Sequence, residues 1–195
     1  MENLFEAFIA LFVIMDPLGN LPLFISFTKG MPLSEIKKNI NKAVFVAAMI
    51  LFLFLFLGLD IFDFFGINLD SFQIAGGIVL LITAILYVFG LQYKLLRPHG
   101  NDLSVPIGTP LLTGPGTITT TIILVKQNGA LVTVIAAFLA LAATWVIFMN
   151  YSKLYKILGE HWTGVISRVM GIILAAIAVE FIVKGVLNII SPLYN

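Results

Sequence analysis

The sequence predicts an all-α membrane protein of six transmembrane helices in two inverted 3+3 repeats, the first and fourth helices discontinuous at mid-membrane. Three observations carry that prediction. The 195 residues are 60% hydrophobic and only 11% charged, with a mean hydropathy of +1.08, whereas soluble domains run at about a quarter charged. Two of the apolar stretches are broken halfway by glycine and proline, at Asp16-Pro17-Leu18-Gly19-Asn20-Leu21-Pro22 and at Thr113-Gly114-Pro115-Gly116-Thr117-Ile118-Thr119. The basic residues, finally, gather in connections that fall on one face.

Six apolar segments each approach the ~20 residues needed to cross a bilayer. They run over Leu4–Phe27, Ala43–Phe62, Leu69–Leu91, Val105–Val125, Ala130–Asn150 and Val165–Ile190. The second from Val44 to Leu59, the third from Ile74 to Leu91 and the fifth throughout are free of charge. Before the second, Met31-Pro32-Leu33-Ser34-Glu35 predicts a short cytoplasmic helix, with proline and an acid in its first turn, feeding into the span. Lys29, Lys37, Lys38 and Lys42 lie between spans one and two, Lys94 and Arg97 after span three, and Lys153, Lys156 and Arg168 around the five-to-six connection. Nine of the eleven basic residues thus share a face. The positive-inside rule makes that face cytoplasmic. Only Lys126 and Lys184 fall on the other side, with Asp60, Asp63 and Asp70. The chain is therefore expected in the cell (inner) membrane with both termini outside. Both histidines, His99 and His161, are expected in loops.

The chain divides at the polar turn His99-Gly100-Asn101-Asp102 into a first repeat, residues 1–98, and a second, residues 102–195. Three spans per half force the halves into opposite orientations. Phe72-Gln73-Ile74-Ala75-Gly76-Gly77-Ile78 is echoed by Ser167-Arg168-Val169-Met170-Gly171-Ile172-Ile173, and Gly19 and Gly116 occupy matching breaks. Inverted repeats whose broken helices meet at mid-membrane are the usual construction of a transporter's central site.

Depth supports that placement. Asp16 lies about 12 residues into its span, hence ~18 Å down, and Gly114–Gly116 about 10 residues in, or ~15 Å. Both fall near the midplane of a core ~30 Å thick. Unwound backbone survives in lipid only around a protein-lined or water-filled cavity. The half-helices after Asn20 and after Gly116 direct N-termini, with their unpaired N–H groups and partial positive charge, into the centre, which suits a carboxylate. Gly19, Gly114 and Gly116 allow close backbone approach. Asn20 and Thr117 are expected to cap, and Thr119, Thr120 and Thr121 add hydroxyls. Half-helices ending at the breaks present carbonyls to an ammonium group. The substrate-binding candidates are Asp16, Pro17, Gly19, Asn20, Thr113, Gly114, Pro115, Gly116, Thr117 and Thr119.

Two buried acids are candidates for proton coupling. Asp16 in mid-membrane costs at least ~2.5–3.5 kcal/mol on insertion scales, which makes it functional by default. The C-terminus before it and the N-terminus after it pull its protonation in opposite senses. Its alternative role is to cap the second half-helix. Glu180 in span six stands four residues before Lys184, so a neutralising ion pair competes with a proton-carrying role. Gly171, Ala175 and Ala178 form a small-residue packing stripe on the opposite face.

Composition also excludes. With no cysteine there is no disulfide framework, Fe–S cluster or thiolate zinc site. No basic cluster with interleaved aromatics suggests nucleic acid. No G-x-x-x-x-G-K-[ST] loop, nucleophile elbow or H-E-x-x-H motif is present, so neither ATP coupling nor an enzyme is expected, and no cofactor. The remaining alternatives to an amino-acid transporter are an exporter of another metabolite or drug, and a channel-like membrane protein.

At these residues the sequence resembles the MarC family of integral membrane proteins over essentially its whole length. The resemblance rests on Asp16 to Pro22, Ile74-Ala75-Gly76-Gly77-Ile78, Pro110-Leu111-Leu112-Thr113-Gly114-Pro115-Gly116-Thr117-Ile118-Thr119-Thr120, and Arg168-Val169-Met170-Gly171 leading to Ala178-Val179-Glu180-Phe181-Ile182. It implies six spans in inverted repeats and transport of small neutral amino acids, glycine and alanine above all and serine as a further candidate, as in SnatA-type members. It implies proton coupling, with Na+ the alternative. Asp16, Gly19, Asn20, Gly114, Gly116 and Thr117 match the motif positions that would line the site. Many members carry glutamine at the position of Glu180, which places Asp16 ahead of it.

Overall fold

The computed structural model describes residues 2–28, 30–91 and 112–191. Seven helices occupy them: α1 (Glu2–Met15), α2 (Leu21–Thr28), α3 (Leu33–Phe65), α4 (Leu69–Phe89), α5 (Pro115–Asn128), α6 (Ala130–Met149) and α7 (Tyr151–Ile190). Four are long and apolar enough to cross a membrane: α3, α4, α6 and the His161–Ile190 part of α7. The chain is a multi-pass, all-α integral membrane protein.

The first span is interrupted as expected. At 1.5 Å per residue α1 is ~21 Å long and α2 ~12 Å, so each is too short alone and together they match a ~30 Å core. α5, ~21 Å long, begins at Pro115 inside the second glycine–proline stretch. The first half of the fourth span, from Val105 to Leu111, and the turn His99-Gly100-Asn101-Asp102 lie outside the described residues.

One expectation holds and one is corrected. The helix expected at Leu33 does feed into the second span, running unbroken as α3. Since ~20 residues suffice to cross, roughly ten residues of α3 project beyond the bilayer. The chain stops only at Gly66, whose φ of 64° supplies a left-handed cap. His161 belongs to helix rather than loop, because α7 resumes directly after a sharp turn at Gly159 (φ 71°, ψ 174°).

Packing divides into two regions. The larger buries Leu11 and Met15 of α1, Leu23 and Phe24 of α2, Leu51 of α3 and Phe148 of α6 around alanines that let the helices close: Ala43, Ala47, Ala136 and Ala140. Phe24 stacks on Phe148 with centroids 5.0 Å apart. The second region is a seam between α4 and α7. Methyl groups built on Gly77, Gly171 and Gly185 would stand 2.8 Å from the carbonyl oxygen of Ala178, 3.0 Å from that of Ala84 and 2.8 Å from that of Asp70. These pairings run in opposite senses along the two helices, so α4 and α7 are antiparallel. Lipid supplies no hydrophobic drive between helices, and close backbone approach through small residues is what holds such a pair.

Candidate functional site

α1 ends because Asp16 leaves helical conformation, with φ 45°, the one non-glycine residue of positive φ among those described. Aspartate tolerates this region since its short carboxylate can bond its own backbone neighbours. Here Asp16 Oδ1 accepts the N–H of Gly19 at 2.9 Å. The carboxylate thereby lies over the Gly19 α-carbon, where a built methyl group would collide with it. The chain re-enters helix as the Asn20 N–H reaches the Asp16 carbonyl at 3.0 Å and the Phe24 N–H reaches the Asn20 carbonyl at 2.9 Å.

Asn20 and Thr117 do not cap the helices they precede or begin. Asn20 Nδ2 donates backwards to the Met15 carbonyl at 3.1 Å, and Thr117 Oγ1 donates backwards to the Leu112 carbonyl at 3.0 Å. Each bond spans five residues across a break. The physical reason is that the carbonyls before a break have lost their i+4 donors, and in lipid no water replaces them. The cap position of α5 is Gly114, with Pro115 at the first turn and no side-chain cap. Pro115 has no N–H to offer, and the N–H groups of the next residues in that turn have no intrahelical acceptor.

A cavity of about 30 Å³ lies between the breaks. Its wall takes Ile14, Asp16 and Asn20 from the first break, Gly114 to Thr117 from the second, Val79, Leu80, Thr83 and Tyr87 from α4, and Leu174 from α7. At about 10–15 Å³ per water, that is room for two waters. The Tyr87 hydroxyl donates to Asn20 Oδ1, and Ser167 Oγ on α7 donates to the Gly19 carbonyl at 3.1 Å. Asp16 is 2% exposed, and its Oδ2 has no hydrogen-bond partner among the described residues. A second small void is lined by Asp16 together with Phe12, Val13, Pro17, Leu18 and Met170.

Six of the sequence-derived candidates therefore meet at one cavity: Asp16, Asn20, Gly114, Pro115, Gly116 and Thr117. Pro17 lines only the second void. Gly19 lies beneath the Asp16 carboxylate. Thr113 is buried outside the cavity wall, and the Thr119 hydroxyl is spent on the Pro115 carbonyl at 2.8 Å. Thr120 and Thr121 bond their own helix in the same way, to Gly116 and Thr117. Glu180 stands elsewhere, on the outside of α7, with its Oε1 3.0 Å from Lys184 Nζ and both side chains more than half exposed. No group of acidic or histidine side chains among the described residues could hold a metal ion.

The α4 and α7 contributions escaped sequence reading. A signal existed: Gly76, Leu80, Thr83 and Tyr87 share one helical face, and two of the four carry hydroxyls within an otherwise apolar span. Tyr87 sits near the end of that span, where an aromatic ring is expected at the lipid interface and draws no notice.

Fold and site together define a multi-pass α-helical membrane protein with a small cavity between the α1–α2 break and the start of α5. The chain belongs to the MarC family, matching the MarC family integral membrane protein over residues 1–190. A UPF0056 membrane protein of Archaeoglobus fulgidus is 36% identical over 195 residues, covering 93% of this chain and 91% of its own. The membrane protein YhcE of Escherichia coli is 33% identical, covering 98% and 95%. The inner membrane protein YhgN of the same bacterium is also 33% identical, covering 95% and 97%. No solved structure matches.

Proposed function

We propose that the chain is a secondary transporter of small neutral amino acids, glycine and alanine first and serine next, and not an enzyme. The observation that carries this is the orphaned Asp16 Oδ2, buried beside a cavity that faces the first turn of α5. An unpartnered buried carboxylate oxygen calls for a proton or an ammonium group. A helix N-terminus with bare glycine backbone calls for a carboxylate. A small zwitterion answers both at once, and Asp16 serves as the proton-coupling residue, with Na+ the alternative ion.

Two inverted repeats, 1–98 and 102–195, account for further features. Asn20 with Met15 and Thr117 with Leu112 are separated by the same length of chain, and both make the same backward bond. The two third helices, α4 and α7, pair antiparallel, as elements related by inversion must. Alternating access then rests on a difference between the faces. Towards the lysine-rich face, taken as cytoplasmic with both termini opposite, a cavity of about 710 Å³ opens beside α2, lined by Ser26, Thr28, Tyr151, Tyr155 and Thr163 among others. Towards the opposite face Phe62, Phe72, Ile118 and Ile122 pack together, with the two rings 4.5 Å apart. That is an inward-facing arrangement.

Uptake into proteoliposomes tests the substrate: glycine and alanine should saturate and show counterflow, and a flux without trans-acceleration would indicate a channel instead. The arrangement of faces is tested separately, because the chain has no cysteine. A membrane-impermeant maleimide should label Ser26→Cys from the lysine-rich side and leave Ile122→Cys unlabelled from either; the reverse pattern would refute it.

A further inference from the structure

Resting on the amino-acid assignment above, we infer that Leu80 of α4, seconded by Ile14 of α1, is the side-chain filter that sets how large a substrate the cavity takes.

The placement of Leu80 follows from the backbone of α4. At Gly76 a built methyl group would stand 3.4 Å from the Pro115 carbonyl oxygen and 3.1 Å from Thr119 Oγ1. The missing side chain lets α4 ride directly on the second break. One turn further along, the Leu80 side chain is carried over Gly116: a methyl group built there would lie 3.4 Å from Leu80 Cδ2 and 3.5 Å from Ile14 Cδ1. A carboxylate held at the α5 N-terminus would place its α-carbon substituent against these two residues. The rest of the wall mixes the polar Asp16, Asn20, Thr83, Tyr87 and Thr117 with the apolar Val79 and Leu174. Leu80 packs against the cluster that holds Leu174, itself 2% exposed.

The shapes suggest a bump-and-hole test. Leu80→Ala removes an isopropyl group from the wall, and an isopropyl group is the side chain of valine. Gly116→Ala does the opposite, adding one methyl group at ordinary contact distance where no neighbour must move. Hydrophobic pockets discriminate about 10- to 200-fold per methylene. In Leu80→Ala the ratio of valine to glycine uptake should therefore rise by about tenfold or more. In Gly116→Ala the ratio of alanine to glycine uptake should fall by about tenfold. Both variants are read as ratios, so a common loss of rate does not obscure the outcome, and the glycine variant serves if the leucine variant fails to fold.

An unaltered protein that takes up glycine and alanine, with both ratios unmoved in the variants, overturns the filter and leaves the substrate class standing. An unaltered protein that takes up neither amino acid overturns the substrate class and the filter with it.

Discussion

The break between α1 and α2 contains an acid, whereas the break that opens α5 is built from threonine, glycine and proline. Both interrupt an apolar stretch, and both are closed by a side chain reaching back five residues to an orphaned carbonyl, Asn20 to Met15 and Thr117 to Leu112. The second break acts as an internal control on the first. It starts a helix from glycine and proline with no acid at the turn. Asp16 is therefore not demanded by the architecture, although burying it costs at least ~2.5–3.5 kcal/mol. Its Oδ1 does structural duty on the Gly19 N–H, and its Oδ2 does none. The difference between the breaks isolates one oxygen atom as the group whose presence needs a functional account.

The sharpest way to break the comparison is Asp16→Asn. Asparagine keeps an oxygen for the Gly19 N–H and tolerates positive φ, so the turn should survive. The group replacing Oδ2 becomes a donor that can neither ionise nor receive an ammonium. Hydrogen bonds to charged groups are worth about 1.5–3 kcal/mol, so glycine uptake should fall by about 10- to 100-fold. Stimulation by an imposed pH gradient should vanish as well. Uptake that keeps its pH dependence would reduce Asp16 to the cap that the neutral break manages without.

A smaller effect sharpens the same contrast on stability. A methyl group at Gly19 would fall 2.7 Å from Asp16 Oδ1 and 2.6 Å from its Cγ, and the carboxylate cannot withdraw without releasing the Gly19 N–H. Gly19→Ala should cost about 1–3 kcal/mol, as overpacking of a close-fitted site does. Gly116→Ala meets only Leu80 and Ile14 at ordinary contact distances and should stay within about 0.5 kcal/mol. Thermal unfolding of the purified variants in detergent gives the comparison directly. Equal midpoints would mean the two glycines do the same job.

The same pair of breaks explains what was legible in the sequence. Glycine and proline inside an apolar stretch are conspicuous, because lipid leaves a broken helix nothing else to bond to. Asp16, Asn20 and Gly114 to Thr117 could thus be placed at one centre from sequence. Which way Asn20 and Thr117 would bond could not, since a residue at a break has N–H groups ahead and carbonyls behind, and both want partners. The α4 wall was hidden for another reason. Its approach depends on Gly76 and the seam glycines Gly77, Gly171 and Gly185, and a glycine in a span shows that something comes close without showing what.

Glu180 supplies the smallest effect and the last test of the contrast. Like Asp16 it is an acid in an apolar span, but its surroundings are opposite. Asp16 is 2% exposed and holds an unpartnered oxygen. Glu180 lies on the outer surface of α7, and Lys184 Nζ lies 3.0 Å away, one turn along the same helix. A lysine stem can lie along the helix and carry its ammonium towards the headgroups, so losing its partner strands no charge in hydrocarbon. Glu180→Gln keeps the size of the side chain and removes only the pair. Exposed i,i+4 pairs are worth about 0.3–0.5 kcal/mol, which predicts an unfolding midpoint hardly moved and glycine uptake unchanged across pH. If uptake lost its pH dependence instead, proton transfer would run through α7, and the unpartnered oxygen at the first break would have to serve the substrate alone.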